Sequence, residues 1–131
     1  MSKEGEAMAR HLELGSWGED RAAEFLSLKK GWKIIERNVR LKRGEIDIVA
    51  INGKELVLVE VRTRTLGKIL PPEATVGPQK MKKLIRAGEE YVIGNSWKGP
   101  WRIDLLAITL GKDGSREMEH FPDITHGEYR P

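Results

Sequence analysis

The chain of 131 residues contains no cysteine. That excludes disulfides, thiolate zinc sites and a catalytic thiol together. Histidine is scarce as well: of three, His120 and His126 fall near the C-terminus, so a histidine-rich metal cluster is not expected. No apolar run approaches membrane-spanning length, no segment repeats and none is of low complexity. The first residues, M-S-K-E-G-E-A-M-A-R, are charged and lack the apolar stretch of a signal peptide, so a cytoplasmic protein without a membrane partner is expected. Neither sign of charge dominates: the formal net charge of +3 permits a polyanionic partner without demanding one.

What is present suits one soluble domain. With 39% hydrophobic and 33% charged residues, a chain of this length can bury a single core. The expected organisation is a flexible leader over 1–13, a domain over 14–121 and an extended tail over 122–131. Apolar residues at helical spacing, Leu14, Ala22, Phe25 and Leu26, predict a helix over about Leu14–Lys29 that stops at Lys30-Gly31. Strands are predicted over Trp32–Val39, Gly44–Ile51 and Glu55–Thr63. The last two are joined by Asn52-Gly53, a strong hairpin signal because both residues tolerate positive φ. Leu66–Pro78 is rich in glycine and proline and reads as a loop. A second helix is predicted over Gln79–Val92, with Met81, Leu84, Ile85, Gly88 and Val92 on one side. Trp101–Leu110 reads as a strand, and Met118–Phe121 as a short further one. The order is helix, three strands, helix, one or two strands: an α/β domain with a mixed central sheet flanked by helices.

The hairpin concentrates acids. Side chains alternate along a strand, so Glu45, Asp47, Val49 and Ile51 are expected on one face, and Leu56, Leu58, Glu60 and Arg62 on one face of its partner. A two-residue Asn52-Gly53 turn pairs Ile51 with Lys54 and sets Glu45 opposite Glu60, with Asp47 on the diagonal. Like charges so placed repel each other, and burial beside apolar residues adds to the cost. Either a basic partner or a hard divalent cation relieves them; a salt-bridged ladder with Arg62 on a solvated face is the plain alternative. Glu19 falls inside the apolar arc of the first helix. It is either a carboxylate stabilised by the helix dipole or one aimed at the site of Asp47 and Glu60. Gly15 and Gly18 beside it would let this helix approach another element closely.

Basic residues crowd between Lys29 and Arg43, where Lys29, Lys30, Lys33, Arg37, Arg40, Lys42 and Arg43 are opposed only by Glu36. A second set, Lys80, Lys82, Lys83 and Arg86, lies on the second helix. Each is either a solvated face or a positive flank to the carboxylates, suited to a phosphodiester substrate. Trp32, Trp97 and Trp101 are candidates for stacking on bases or for the core.

Asp47 followed by Glu60-Val61-Arg62 resembles the PD-(D/E)xK nuclease pattern, whose last position is usually lysine. More closely, the chain resembles the YraN-like family of small bacterial proteins. The resemblance rests on G-S-W-G-E-D-R-A-A-E-F-L, N-V-R-L-K-R-G-E-I-D-I-V-A, L-V-L-V-E-V-R-T-R, P-Q-K-M-K-K-L-I-R-A and R-I-D-L-L-A-I, which run in order from Gly15 to Ile108. It implies a restriction-endonuclease-like fold similar to archaeal Holliday-junction resolvases, and a metal-dependent endonuclease acting on DNA, branched DNA included. It also implies Asp47 and Glu60 as ligands of Mg²⁺ or Mn²⁺ and Glu19 as an accessory acid. Arg37, Arg40, Lys42, Arg43 and Arg64 are then the expected nucleic-acid contacts, and a homodimer is a further expectation. Glu45 has no settled role, and Asp104 is matched as well but reads more simply as a partner of Arg102. Arg62 departs from the nuclease pattern: arginine stays charged and cannot serve as a base, though it can hold a phosphate. Lys80 is the candidate for the missing amine. The alternative function is a nucleic-acid-binding module with this fold and little or no catalysis.

Overall fold

The computed structural model describes residues 3–65 and 76–125. Helix α1 spans Lys3–Glu24 and widens into a π-helical turn over Phe25–Lys29. The leader expected over 1–13 is thus helical from Lys3. Its glutamates, alanines, methionine and leucine are good helix formers, and a polar stretch can be helical without an apolar stripe. The helix ends where expected. Gly31 takes φ +70°, and the Trp32 N–H reaches back to the Leu26 carbonyl at 2.9 Å, satisfying a terminal acceptor as left-handed C-caps do.

Strands β1 (Lys33–Leu41), β2 (Gly44–Asn52) and β3 (Glu55–Thr65) follow, then α2 (Pro78–Gly94), β4 (Trp101–Leu110) and β5 (Arg116–Phe121). The loop expected over 66–78 lies outside the described residues except for Val76–Pro78, where Pro78 already opens α2. Strand order in the sheet follows chain order, β1-β2-β3-β4-β5, and only β3 and β4 run parallel. The sheet is therefore mixed, with α1 on one face and α2 on the other, an α/β arrangement compatible with a restriction-endonuclease-like fold.

Each face has its own core. Ala22 of α1 and Leu26 of the π-helical turn cover Ile48, Ala50, Val57, Val59, Leu106 and Ile108, with Trp32 beside them. On the other face Leu84, Ala87 and Tyr91 of α2 pack on Val49, Leu56, Leu58, Ile103 and Leu105. Trp97 and Trp101 pack against this second core, so all three candidate tryptophans contribute to the packing. The chain after β5 is tied down as well: the Ile124 N–H donates to the Ile103 carbonyl at 2.8 Å and Ile124 is buried. The extended tail is therefore anchored as far as Thr125, the last described residue.

The β2–β3 turn differs from expectation by two residues. Asn52 pairs with Glu55, and Ile51 pairs with Leu56, so Gly53 and Lys54 make the turn. Gly53 takes φ +63° at the first central position, which type II′ hairpins reserve for glycine. An even shift keeps every side chain on its face, but it moves Glu45 away from Glu60 and brings Asp47 level with it.

Gly18 permits the close approach of α1 to β3, because a Cβ there would collide with the hydroxyl of Thr63. Gly18→Ala is expected to destabilise the fold by about 1–3 kcal/mol through overpacking. Chemical denaturation of Gly18→Ala with and without Thr63→Ala checks this: the double variant should recover most of the loss, and additive losses would show that the clash lies elsewhere.

Candidate functional site

The sheet opens where its acids begin. The β2–β3 ladder runs from Asn52↔Glu55 to Ile48↔Val59 and stops there. Beyond it, the Val61 N–H donates to Asp47 Oδ2 at 2.8 Å, so a side-chain oxygen stands where a strand carbonyl would. Alternation along β2 breaks at the same place: Ile46 and Val49 both pack towards α2, whereas Ile48 and Ala50 face α1. The opening is a cleft of about 370 Å³, into which α1 brings Glu19, the sheet brings Glu45, Asp47, Glu60 and Arg62, and α2 brings Lys80.

Glu60 is only 7% exposed and stands over Ile46, Leu58, Leu84 and Ile103, which enclose a void of about 10 Å³. That burial, then the charge of Asp47, pushes its pKa from an ordinary 4.5 up to about 7, against the pull of Lys80 and Arg62. Asp47 is raised too, by burial first, with the Val61 N–H and the two cations opposing. Glu19, across the cleft, is raised by burial and then by Asp47. Three carboxylates thus feel one another or the lack of water.

Two cations answer them incompletely. Lys80 Nζ and Arg62 Nε each lie 3.4 Å from Glu60 Oε1. The Arg62 contact is an ion pair without hydrogen-bond alignment, and this buried Nε has no hydrogen-bond partner among the described residues. The donors fit a hard divalent cation: Asp47 and Glu60 offer oxygens whose ionised forms are short of counter-charge. Among the described residues no three His, Cys, Asp or Glu side chains converge as a ready-made cage. Magnesium characteristically takes one or two carboxylates and completes its shell with water and phosphate oxygens.

The structure therefore brings Glu19, Asp47, Glu60, Arg62 and Lys80 together, with Glu45 at the rim paired to Arg40 at 3.5 Å. The expected nucleic-acid contacts scatter. Arg37 is held by Asp20 at 2.7 Å, and Arg64 donates from Nε to Thr109 Oγ1 at 3.1 Å, while Lys42 and Arg43 form the β1–β2 turn. Asp104 is fully buried away from the cleft. It takes the fork of Arg102 at 2.9 and 3.2 Å, His120 Nε2 at 2.7 Å and the Asp123 N–H at 2.8 Å, so it serves the fold.

Sequence reasoning missed Asn38. It sits in β1 with φ +52°, and its side chain hydrogen-bonds Glu19. The available signal was an asparagine, tolerant of the left-handed region, inside a strand-like run. Arg37–Asp20 clamps the same strand to α1 one residue away.

Two outcomes follow from these contacts. Glu60 has a folded pKa above its unfolded value, so its favourable contribution is complete below about pH 4.5 and is lost as pH rises through about 7. In metal-free buffer, Glu60→Gln should remove that loss and be the more stable protein above neutrality, by about 2–3 kcal/mol; urea unfolding on either side of pH 7 checks the sign. Asn38→Gly keeps the backbone conformation free of strain while deleting the amide. It should leave the melting temperature nearly unchanged and raise the Glu19 pKa, read by carboxyl-carbon NMR titration.

The model of the uncharacterised protein family UPF0102 matches residues 18–108, which include every cleft residue named above; Leu14 and Gly15, which also line the cleft from α1, precede the match. The UPF0102 protein of Anaeromyxobacter dehalogenans is 42% identical over 119 residues, covering 90% of this chain and 87% of that protein. That of Flavobacterium psychrophilum is 40% identical over 116 residues, covering 88% and 96%. That of Thermotoga maritima is 42% identical over 109 residues, covering 83% and 94%. With a family match over most of its length and relatives similar over most of theirs, the chain belongs to the uncharacterised protein family UPF0102.

Proposed function

We propose that the protein is a divalent-metal-dependent endonuclease that hydrolyses phosphodiester bonds in DNA, with branched DNA among its substrates. The observation that carries this reading is the pairing of Asp47 and Glu60 at the floor of an open cleft whose cations are Arg62 and Lys80. Asp47 and Glu60 would hold Mg²⁺ or Mn²⁺, and such an ion, when bound, supplies Lewis-acid stabilisation of phosphoryl oxygens and a more acidic water.

The chain's own groups divide the remaining work. Asp47 is aimed by the Val61 N–H, and Glu60 is fixed by its apolar floor. Arg62 keeps a buried Nε without a hydrogen-bond partner among the described residues and has an exposed guanidinium end, the combination that grips a phosphate and stabilises charge on its equatorial oxygens. It cannot take a proton from water. Lys80 is the amine at the cleft and can hold or pass a proton near Glu60. Glu19, on the opposite wall, can accept a hydrogen bond from the attacking water.

Arg62 in the usual lysine position favours a second reading: a nucleic-acid-binding module with this architecture and little or no catalysis. Cleavage assays with Mg²⁺ or Mn²⁺ on single-stranded, duplex and branched DNA separate the two. Asp47→Ala and Glu60→Ala should each lower cleavage by at least about 100-fold and weaken calorimetric Mn²⁺ binding. Cleavage that survives both substitutions would place the activity outside this cleft, and binding without cleavage would favour the second reading.

A further inference from the structure

The cations of the two basic runs divide by what holds them. On β1, Arg37 is hydrogen-bonded to Asp20, and Arg40 stands 3.5 Å from Glu45 in an exposed ion pair. Lys29, Lys33 and Lys82 are exposed and, among the described residues, in no ion pair, Lys33 opposite Ile51 at the end of β1 away from the β1–β2 turn. Lys42, Arg43, Lys83 and Arg86 are exposed too, and among the described residues no ion pair neutralises them.

Those four cations are neighbours. The β1–β2 turn sits on α2, where the Glu90 carboxylate accepts the backbone N–H groups of Lys42 and Arg43 at 3.1 and 3.0 Å. At Gly44 a Cβ would lie 3.4 Å from Ala87 Cβ and 3.7 Å from the Lys83 carbonyl oxygen. Lys80, Lys83, Ala87 and Glu90 follow one another at three- and four-residue spacing, which makes one row on the helix, with Arg86 beside it. The row starts inside the cleft, since Lys80 reaches Glu60. Its one acid, Glu90, is committed to the turn's backbone rather than to a cation.

We propose that Lys83, Arg86, Lys42 and Arg43 form a phosphate-binding track that leads the sugar-phosphate backbone of a nucleic acid from Lys80 at the cleft outward along α2, and that β1 lies off this path. The direction of the track rests on the phosphodiester reading of the cleft. Lys80 to Arg86 spans about 9 Å of helix, and a duplex strand presents a phosphate about every 3.4 Å of its axis, so the track covers roughly three phosphates. Acids in the cleft and unpaired cations along the helix that leads out of it match a substrate whose cleaved linkage is continuous with further phosphates.

Fluorescence anisotropy of a labelled DNA duplex, titrated with the full chain in EDTA at several salt concentrations, tests the track. Lys83→Gln/Arg86→Gln should flatten the slope of log affinity against log salt by about 2 units, roughly 0.9 per lost phosphate contact. Arg37→Gln/Arg40→Gln should change it by less than half as much. Equal slopes for wild type and Lys83→Gln/Arg86→Gln, or a larger loss from the β1 variant, would overturn the proposal. So would tighter binding to anionic phospholipid vesicles that depends on Lys83 and Arg86 while duplex binding does not. The two readings fail separately: a slope loss without cleavage under any metal sinks the nuclease and leaves the track, whereas cleavage with an unchanged slope does the reverse.

Discussion

One hydrogen bond, from the Val61 N–H to Asp47 Oδ2, sets the geometry on which the cleft depends. Inside a sheet that donor would belong to a neighbouring strand's carbonyl. Giving it to a side chain ends the β2–β3 ladder at Ile48 and Val59 and separates the strands without leaving a buried donor unpaired. The same bond aims the Asp47 carboxylate and favours its ionised form against burial. Glu60, Arg62, Glu19 and Lys80 then occupy the space that the parted strands and the two helices leave.

Asp47 and Asp104 show what separates a site from a scaffold. Both are largely withdrawn from water. Asp104 receives a guanidinium fork, an imidazole nitrogen and a backbone N–H, and it joins β4, β5 and the segment after β5. Asp47 receives one N–H and shares two cations with Glu60. Buried ionised groups are tolerated when fully paired; where pairing stops short, the fold carries a standing demand for positive charge. The raised pKa values of Glu19, Asp47 and Glu60 express that demand.

Much of this was legible in the sequence. Hydrophobic periodicity located the elements because both sheet faces are covered by one amphipathic helix each, and the Asn-Gly turn located the hairpin. The acids declared themselves by standing in apolar strands. Register was harder: either Asn52-Gly53 or Gly53-Lys54 can make the two-residue turn, and because the shift between them is even, every side chain keeps its face and the hydrophobic pattern does not distinguish them. The helical N-terminal segment was missed because its helix-forming residues lack an apolar stripe. The partition of the arginines was not legible at all, since Asp20 and Arg37, or Glu90 and the Lys42–Arg43 backbone, are brought together only by the tertiary fold.

Chain-order topology has a kinetic consequence. Every antiparallel neighbour in the sheet is also a sequence neighbour, so the β2–β3 hairpin carrying Asp47 and Glu60 needs only local closure, whereas the parallel β3–β4 pair must wait for the α2 crossover. While the hairpin stands alone, water screens its two carboxylates and their repulsion is slight. The penalty matures when α1 and α2 dock and the water leaves. The most demanding feature of the native site is thus deferred to a stage at which the rest of the core is already closing around it.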